Sequence, residues 1–318
     1  MTTLEVRYLP SSLSGQKLHT LIWRPEEPRA VLQIVHGMAE HIARYDEFAR
    51  WMCDRNIAVI GHSHLGHGLT AASSDDLGHI ADRKGWERLT DDVDIVRKAA
   101  QELFPGLPHV ILGHSMGSFV TRTYITRPEA AGLEGAVICG TGNMSGAVVG
   151  AGNFIASVIQ LFRGKRHRSE FINSVSFGSN NKAFEPVRTE SDWLSKNEEN
   201  VDQYIADPLC GFCFSVRAFR DLFEGLGYIG RAKNIAKIRK SLPCMFIAGQ
   251  LDPVGNNGKG VIQVADMFRK AGITDVRVEL YDNDRHEVLN ETDRTTVYGD
   301  VYDFISRFIT SDEAAIQY

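Results

Sequence analysis

Short apolar runs alternate with helical stretches along the first part of the chain. Ala30-Val31-Leu32-Gln33-Ile34-Val35 is a β-rich run that stops at His36-Gly37. A helical stretch follows, with Tyr45, Phe48, Ala49 and Met52 on one side, and Ile57-Ala58-Val59-Ile60 predicts a second buried strand. Leu89, Val93, Val96 and Ala100 stand at helical spacing and predict a helix over Gly85–Phe104, ended by Pro105-Gly106. Val110-Ile111-Leu112 is the next strand and runs into Gly113-His114-Ser115. Strands and helices in this order, joined by short connections, predict a mostly parallel sheet flanked by helices on both faces. Two earlier strands, Leu4–Leu9 and Leu18–Trp23, have no helix between them and predict an antiparallel hairpin leading into that sheet.

The alternation breaks after Gly140 and resumes with Cys244–Ala248, a helix near Gly260–Ala271, a strand at Val276–Tyr281 and a helix near Thr292–Phe308. Residues 1–140 and 240–318 are therefore expected to form one core, with 141–239 inserted as a helical cap. The residues from Ser311 onward are expected to fray. The insertion opens on Val148, Val149, Phe154, Ile155, Val158, Ile159, Leu161 and Phe162, apolar on more than one face. Such a helix is buried in a core, lines something greasy, or meets a micelle or bilayer. Trp193, Tyr204, Phe212, Phe214 and Phe219 further along are either pocket wall or cap core.

Composition narrows this picture only slightly. The chain has 318 residues, 43% of them apolar and 24% charged, enough for a sizeable core. A net charge of -5 and a pI near 6.1 give no global attraction to nucleic acid or anionic membrane. The five cysteines are scattered and do not suggest a disulfide framework. Cys210-Gly-Phe-Cys213 lacks a second ligand pair, and His62, His64 and His67 lack an evident carboxylate partner, so neither metal nor cofactor is expected. The first residues alternate like a strand and carry no apolar signal region, which points to a cytoplasmic protein, peripheral to membrane at most. The long uncharged run from Glu134 to Arg163 includes a strand (Ala136–Cys139) and a Gly-rich loop, which argues against a transmembrane span.

The strongest chemical signal is Gly113-His114-Ser115-Met116-Gly117. It fits G-x-S-x-G with a strand before it and a helix after it. In such a turn the backbone lifts the serine hydroxyl clear of the sheet. A serine hydroxyl needs a general base, and the base needs a carboxylate. Chain order on this kind of scaffold places the acid next and the histidine last. His286 follows a strand in Asp284-Arg285-His286-Glu287, whereas His167 lies in a basic run inside the insertion. Asp252, after the strand ending at Ala248-Gly249, is the favoured acid over Asp282 and Asp284, which share the loop of His286. The N–H groups of Met116 and of Met38, in the loop after Val35, are the candidate oxyanion donors.

His36-Gly37-Met38-Ala39-Glu40-His41 through Arg44-Tyr45, His62-Ser63-His64-Leu65-Gly66-His67-Gly68 and Gly113–Gly117 together resemble the monoacylglycerol lipase and lysophospholipase group of α/β-hydrolases. Asp252-Pro253-Val254-Gly255 and His286-Glu287-Val288-Leu289-Asn290-Glu291 fit the same group. The resemblance covers nearly the whole chain and loosens through 147–168. It implies the α/β-hydrolase fold with a cap, a serine esterase acting on a small amphiphilic lipid ester, and a structural role for the 62–67 histidines. It also implies that Glu40 and Arg44 shape the polar end of the ester site; read from spacing alone, they are equally an i,i+4 surface ion pair. His36, Phe154, Ile155 and Val158 complete the expected substrate-binding set. An acyltransferase, a peptidase, a broad carboxylesterase and a non-catalytic binding protein share the scaffold and stay open.

Overall fold

The computed structural model describes residues 2–309; the expectation of fraying from Ser311 lies outside them. Eight strands form one sheet: β1 (Thr3–Pro10), β2 (Lys17–Arg24), β3 (Ala30–Val35), β4 (Ile57–His62), β5 (His109–His114), β6 (Gly135–Cys139), β7 (Cys244–Gly249) and β8 (Val276–Tyr281). Their order across the sheet is β1-β2-β4-β3-β5-β6-β7-β8. β1 and β2 form the antiparallel hairpin, β2 pairs antiparallel with β4, and every other pairing is parallel.

The strand residues divide by the two-residue period of a pleated sheet. Ile111, Ala136, Ile138, Phe246 and Ala248 face one cluster, whereas Val110, Leu112, Val137, Met245 and Ile247 face the other. Helices α1 (Asp46–Cys53) and α10 (Arg294–Ser306) cover the second face through Phe48, Met52, Val297 and Tyr298. Helices α2 (Gly85–Leu103), α3 (Met116–Tyr124) and α9 (Lys259–Lys270) cover the first through Leu89, Val93, Val120, Val264 and Phe268. Strands buried on both faces are near-continuous apolar runs for this reason, as β3 and β7 are.

Between β6 and β7 lie α4 (Gly146–Arg163), α5 (Glu170–Phe177), α6 (Glu198–Ala206), α7 (Val216–Ile229) and α8 (Ala232–Ile235). Within this excursion the segments leading into α5 and α7 meet in an antiparallel β-bridge between Arg168 and Ser215. α7 lies on α2, where Gly225 sits against the Trp86 ring so closely that a Cβ would stand 2.1 Å from it. α4 lies on α7, with Gly152 against Phe223. By length and mean hydropathy α4 is able to cross a membrane, yet only 11% of it is buried. Val149 and Ala156 face inward, and Phe154, Leu161 and Phe162 are 70%, 79% and 79% exposed.

Candidate active site

The loops at the carboxyl ends of the parallel strands build the site. Ser115 joins β5 to α3 with φ 52° and ψ −120°, a strained conformation for a residue with a side chain. The residues two before and two after it must be glycine. A Cβ on Gly117 would lie 1.9 Å from the Val35 carbonyl oxygen, and one on Gly113 2.4 Å from the Gly117 oxygen. The Ser115 N–H donates to the Cys139 carbonyl (3.0 Å), which ties the turn to the end of β6.

The loops after β7 and β8 lie against each other. Gly249 allows this, since a Cβ there would meet the Arg285 oxygen at 2.1 Å, and the Leu251 N–H donates to the Asp284 carbonyl. His286 Nδ1 stands 3.0 Å from Asp252 Oδ1, both side chains buried. Asp252 Oδ1 also accepts from the Val254 N–H (2.9 Å). Asp284 turns to Lys196 instead, at 2.5 Å. The His286 ring lies between those of His114 and Trp193, with centroids 4.9 and 5.0 Å away.

Ser115 and His286 border one cavity of about 900 Å³. Met38 and Met116 line it beside Ser115, and Phe119, Phe177, Leu222, Phe223 and Leu226 make its greasy side. Gly37 lies close under Ser115, where a Cβ would be 3.2 Å from the serine Cβ. Ala39 takes φ 55°, so the loop carrying Met38 is tightly wound.

Glu40 and Arg44 pair at 2.9 Å, but on the inside of the molecule. Glu40 Oε1 accepts from the Gly37 N–H (2.5 Å) and the Tyr45 hydroxyl (2.9 Å), and His114 Nδ1 lies 3.2 Å away. Arg44 donates twice to Glu287, through Nη1 at 2.8 Å and Nη2 at 2.7 Å. Asn200 of α6 bonds both Arg44 and Glu287. Burial pushes Glu40 up, but the His114 hydrogen bond and the Arg44 charge outweigh it and hold the carboxyl well below its usual range. Burial likewise opposes the charge on Glu287, and Arg44 overcomes it. His114 is disfavoured as a cation by burial yet raised by its bond to Glu40. A surface ion pair is the wrong description of Glu40 and Arg44: the whole cluster is a buried, mutually satisfied set of charges.

Five further expectations need correction. His36 is fully buried and does not line the cavity: Nδ1 lies 2.8 Å from the Gly37 oxygen and Nε2 accepts from the His64 N–H. Phe154, Ile155 and Val158 also stand off the cavity, because α4 presents Val149, Gly152 and Ala156 to its packing partners and turns these three outward. Arg44 lines a separate, smaller polar cavity behind the site. Sequence reasoning gave no individual role to Glu287, Asn200 or His114, and left Trp193 as either pocket wall or cap core; Trp193 lines the cavity. Glu287 had one signal, its place next to His286; Asn200 had none.

Sheet order, strained serine turn and paired acid–histidine loops define the chain as an α/β-hydrolase. The family model described as Hydrolase_4, serine aminopeptidase S33, matches residues 26–293, and the chain belongs to that family. It is similar to human monoglyceride lipase, 26% identical over 290 residues that cover 89% of this chain and 84% of the lipase. Monoacylglycerol lipase of Mycolicibacterium smegmatis is 27% identical over 93% of this chain and 95% of its own length. Among solved structures, a highly thermostable carboxyl esterase from Bacillus coagulans in complex with glycerol matches with a TM-score of 0.89 at 28% identity, covering 98% of this chain and 100% of that one.

Proposed function

We propose that this protein hydrolyses esters of single-chain lipids, monoacylglycerols or lysophospholipids, through an acyl-enzyme on Ser115. The observation that carries the reading is the 3.0 Å contact of His286 Nδ1 with Asp252 at the edge of the cavity that holds the strained Ser115. Asp252 fixes the tautomer that leaves Nε2 free to accept a proton. His286 takes the Ser115 hydroxyl proton as Oγ bonds to the ester carbonyl carbon. The carbonyl oxygen gains the negative charge, met by the N–H groups of Met38 and Met116. The tetrahedral adduct collapses, the C–O bond to the alcohol breaks, and His286 hands that alcohol the proton. Water, deprotonated by the same imidazole, then releases the fatty acid and restores Ser115.

Two things support a lipid ester. The relatives named for monoglyceride or monoacylglycerol lipase activity align over most of both chains. The cavity also has an aromatic and aliphatic side large enough for one acyl chain. The exposed apolar side of α4, continued by Phe171 and Val175 of α5, suits transient contact with the micelle or bilayer that holds such a substrate.

A hydrolysis screen of monoacylglycerols, lysophospholipids, short esters and peptide amides tests the reading. Long- or medium-chain monoesters should turn over fastest. Equal rates for acetate and long-chain esters, or a preference for amides, would refute it. Ser115→Ala should cost at least about 10⁴-fold in kcat, and His286→Ala a comparable factor, because the three groups act as a unit. Labelling by a fluorophosphonate should vanish in Ser115→Ala. Added glycerol should not divert the acyl group into new esters, which separates hydrolysis from acyl transfer.

A further inference from the structure

We propose that His41, Asp207 and Cys210 form a binding site for one divalent cation of the zinc class, bridging the cap to the loop that carries Met38. Their donor atoms lie within 4.8 Å of one another. His41 comes from the loop before α1, and Asp207 and Cys210 from the turn after α6, Asp207 standing 166 residues from His41 in the chain. Nitrogen, oxygen and sulfur donors in threes, with an open fourth position, are the set that suits Zn²⁺.

The turn is held in a ligating shape by its own backbone. Asp207 Oδ1 accepts from the Leu209 N–H (2.8 Å), which leaves Oδ2 aimed at His41 Nε2, also 2.8 Å away. The Cys210 N–H donates to the Asp207 carbonyl (3.0 Å), and the Gly211 N–H to the Ala39 carbonyl (2.9 Å). Tyr204 adds a hydroxyl bond to the same Ala39 oxygen. Such backbone support of a carboxylate and its neighbouring loop is how metal ligands are oriented. Tetrahedral ligands on zinc stand about 3.3 Å apart for N and O donors, so the His41–Asp207 pair needs to open by roughly 0.5 Å.

Access is present. His41 and Asp207 line a polar cavity of about 350 Å³, which gives the ion an entry path and room for a water as fourth ligand. The nearby Arg44 guanidinium does not oppose a cation, because Glu40 and Glu287 both pair with it. On binding, the Cys210 S–H bond breaks, the proton goes to solvent and the sulfur lone pair forms the metal bond.

The test uses the full, untagged chain stripped with a chelator. Zinc chloride in a calorimeter should bind at one ion per chain, and cobalt(II) should produce a thiolate-to-metal charge-transfer band. Cys210→Ser should abolish the band and weaken zinc at least 10-fold, and Asp207→Asn should weaken zinc similarly with its fold checked by circular dichroism. Cys213→Ser, whose thiol lies against the Ser169 and Phe214 carbonyls, should change neither. Ser115→Ala should keep the full cobalt spectrum, so the ester chemistry and the metal site stand or fall separately. No band, zinc binding indifferent to Cys210→Ser, or equal loss in Cys213→Ser would each overturn the site.

Discussion

Two buried polar clusters flank the loop that carries Gly37 and Met38, and they are built on opposite principles. On one side Glu40, Arg44, Glu287 and His114 form a charged network in which each group meets an opposite charge. On the other side His36, His62, His64 and His67 crowd together, fully buried, with centroids as close as 4.2 Å and no carboxylate bonded to them among the described residues. Both nitrogens of His62, Nδ1 of His64 and Nε2 of His67 have no hydrogen-bond partner among the described residues. Burial above all keeps this second cluster neutral: His62 is pushed down to about 3 and His67 to about 4. The first cluster is strong while its charges are intact; the second is stable only while it carries none.

The largest effect should come from removing the guanidinium of the first cluster. Arg44→Ala leaves Glu287 without its ion-pair partner in the interior and Glu40 with His114 alone, and breaking a buried pair in this way costs about 3–5 kcal/mol. Urea unfolding at pH 7.5 measures it. The loss should shrink as the pH is lowered toward 5, because protonating the stranded carboxyls removes their repulsion. A loss under about 1 kcal/mol, or one independent of pH, would show that water already screens the network.

Acid should break the second cluster next. The folded-state values of His36, His62, His64, His67 and His109 all lie below 6.5, with His109 at about 3. The unfolded chain therefore binds protons first, and stability that is complete above pH 6.5 is lost as the pH falls below it. Asp92, Asp221 and Asp284, which burial raises to about 6, work the other way, since the folded chain protonates them first between about 6 and 3.8. His114, raised by Glu40 against its burial, also favours the folded state below 6.5 and loses that contribution as the pH rises through its folded value. The histidines outnumber these opposing groups, so the net loss from pH 7.5 to 5.5 should be a few kcal/mol. A flat urea midpoint over that range would sink the account.

Glu287→Gln should be milder than Arg44→Ala. The amide keeps the shape and one hydrogen bond to Arg44 but gives up a charge-assisted one, worth about 2 kcal/mol. Arg44 retains Glu40, so no charge is stranded. Because Glu287 adjoins His286, the variant should also slow turnover more than its stability loss explains. Equal activity per folded molecule would assign Glu287 to the fold alone.

These clusters also mark where the sequence stops being readable. The alternating apolar runs were enough to place the sheet, because strands buried on both faces must be apolar along their length. Gly113 and Gly117 announced the serine turn, because only glycine fits against the Val35 oxygen and within the turn itself. The Arg44–Glu287 contact spans 243 residues and leaves no local trace. The same holds for His41 with Asp207, and the expectation of no metal rested on two local groups, Cys210 with Cys213 and His62 with His64 and His67, that do not include that pair. The apolar face of α4 misled for a related reason. Its composition is apolar all round, and only the packing on α7 decides that Val149 and Ala156 turn in and Phe154 turns out.

The smallest expected change sharpens the comparison most. His62 ends β4 with neither ring nitrogen bonded, so replacing it by an apolar ring of similar size removes a desolvated polar group and strands no partner. His62→Phe should therefore match the parent protein within about 1 kcal/mol at pH 7.5, since volume-conserving core changes cost little. At pH 5.5 the unfolded parent binds a proton at this histidine and the variant does not. The variant should then be the more stable by about 1.4 kcal/mol, relative to their difference at pH 7.5. In an Arg44→Ala background the same substitution should change stability by the same amount, because burial and His67 act on His62 and no charge of the first cluster does. If His62→Phe lost stability equally at both pH values, the imidazole would be bonded in solution and the neutral-cluster account would fail at the member with neither ring nitrogen bonded.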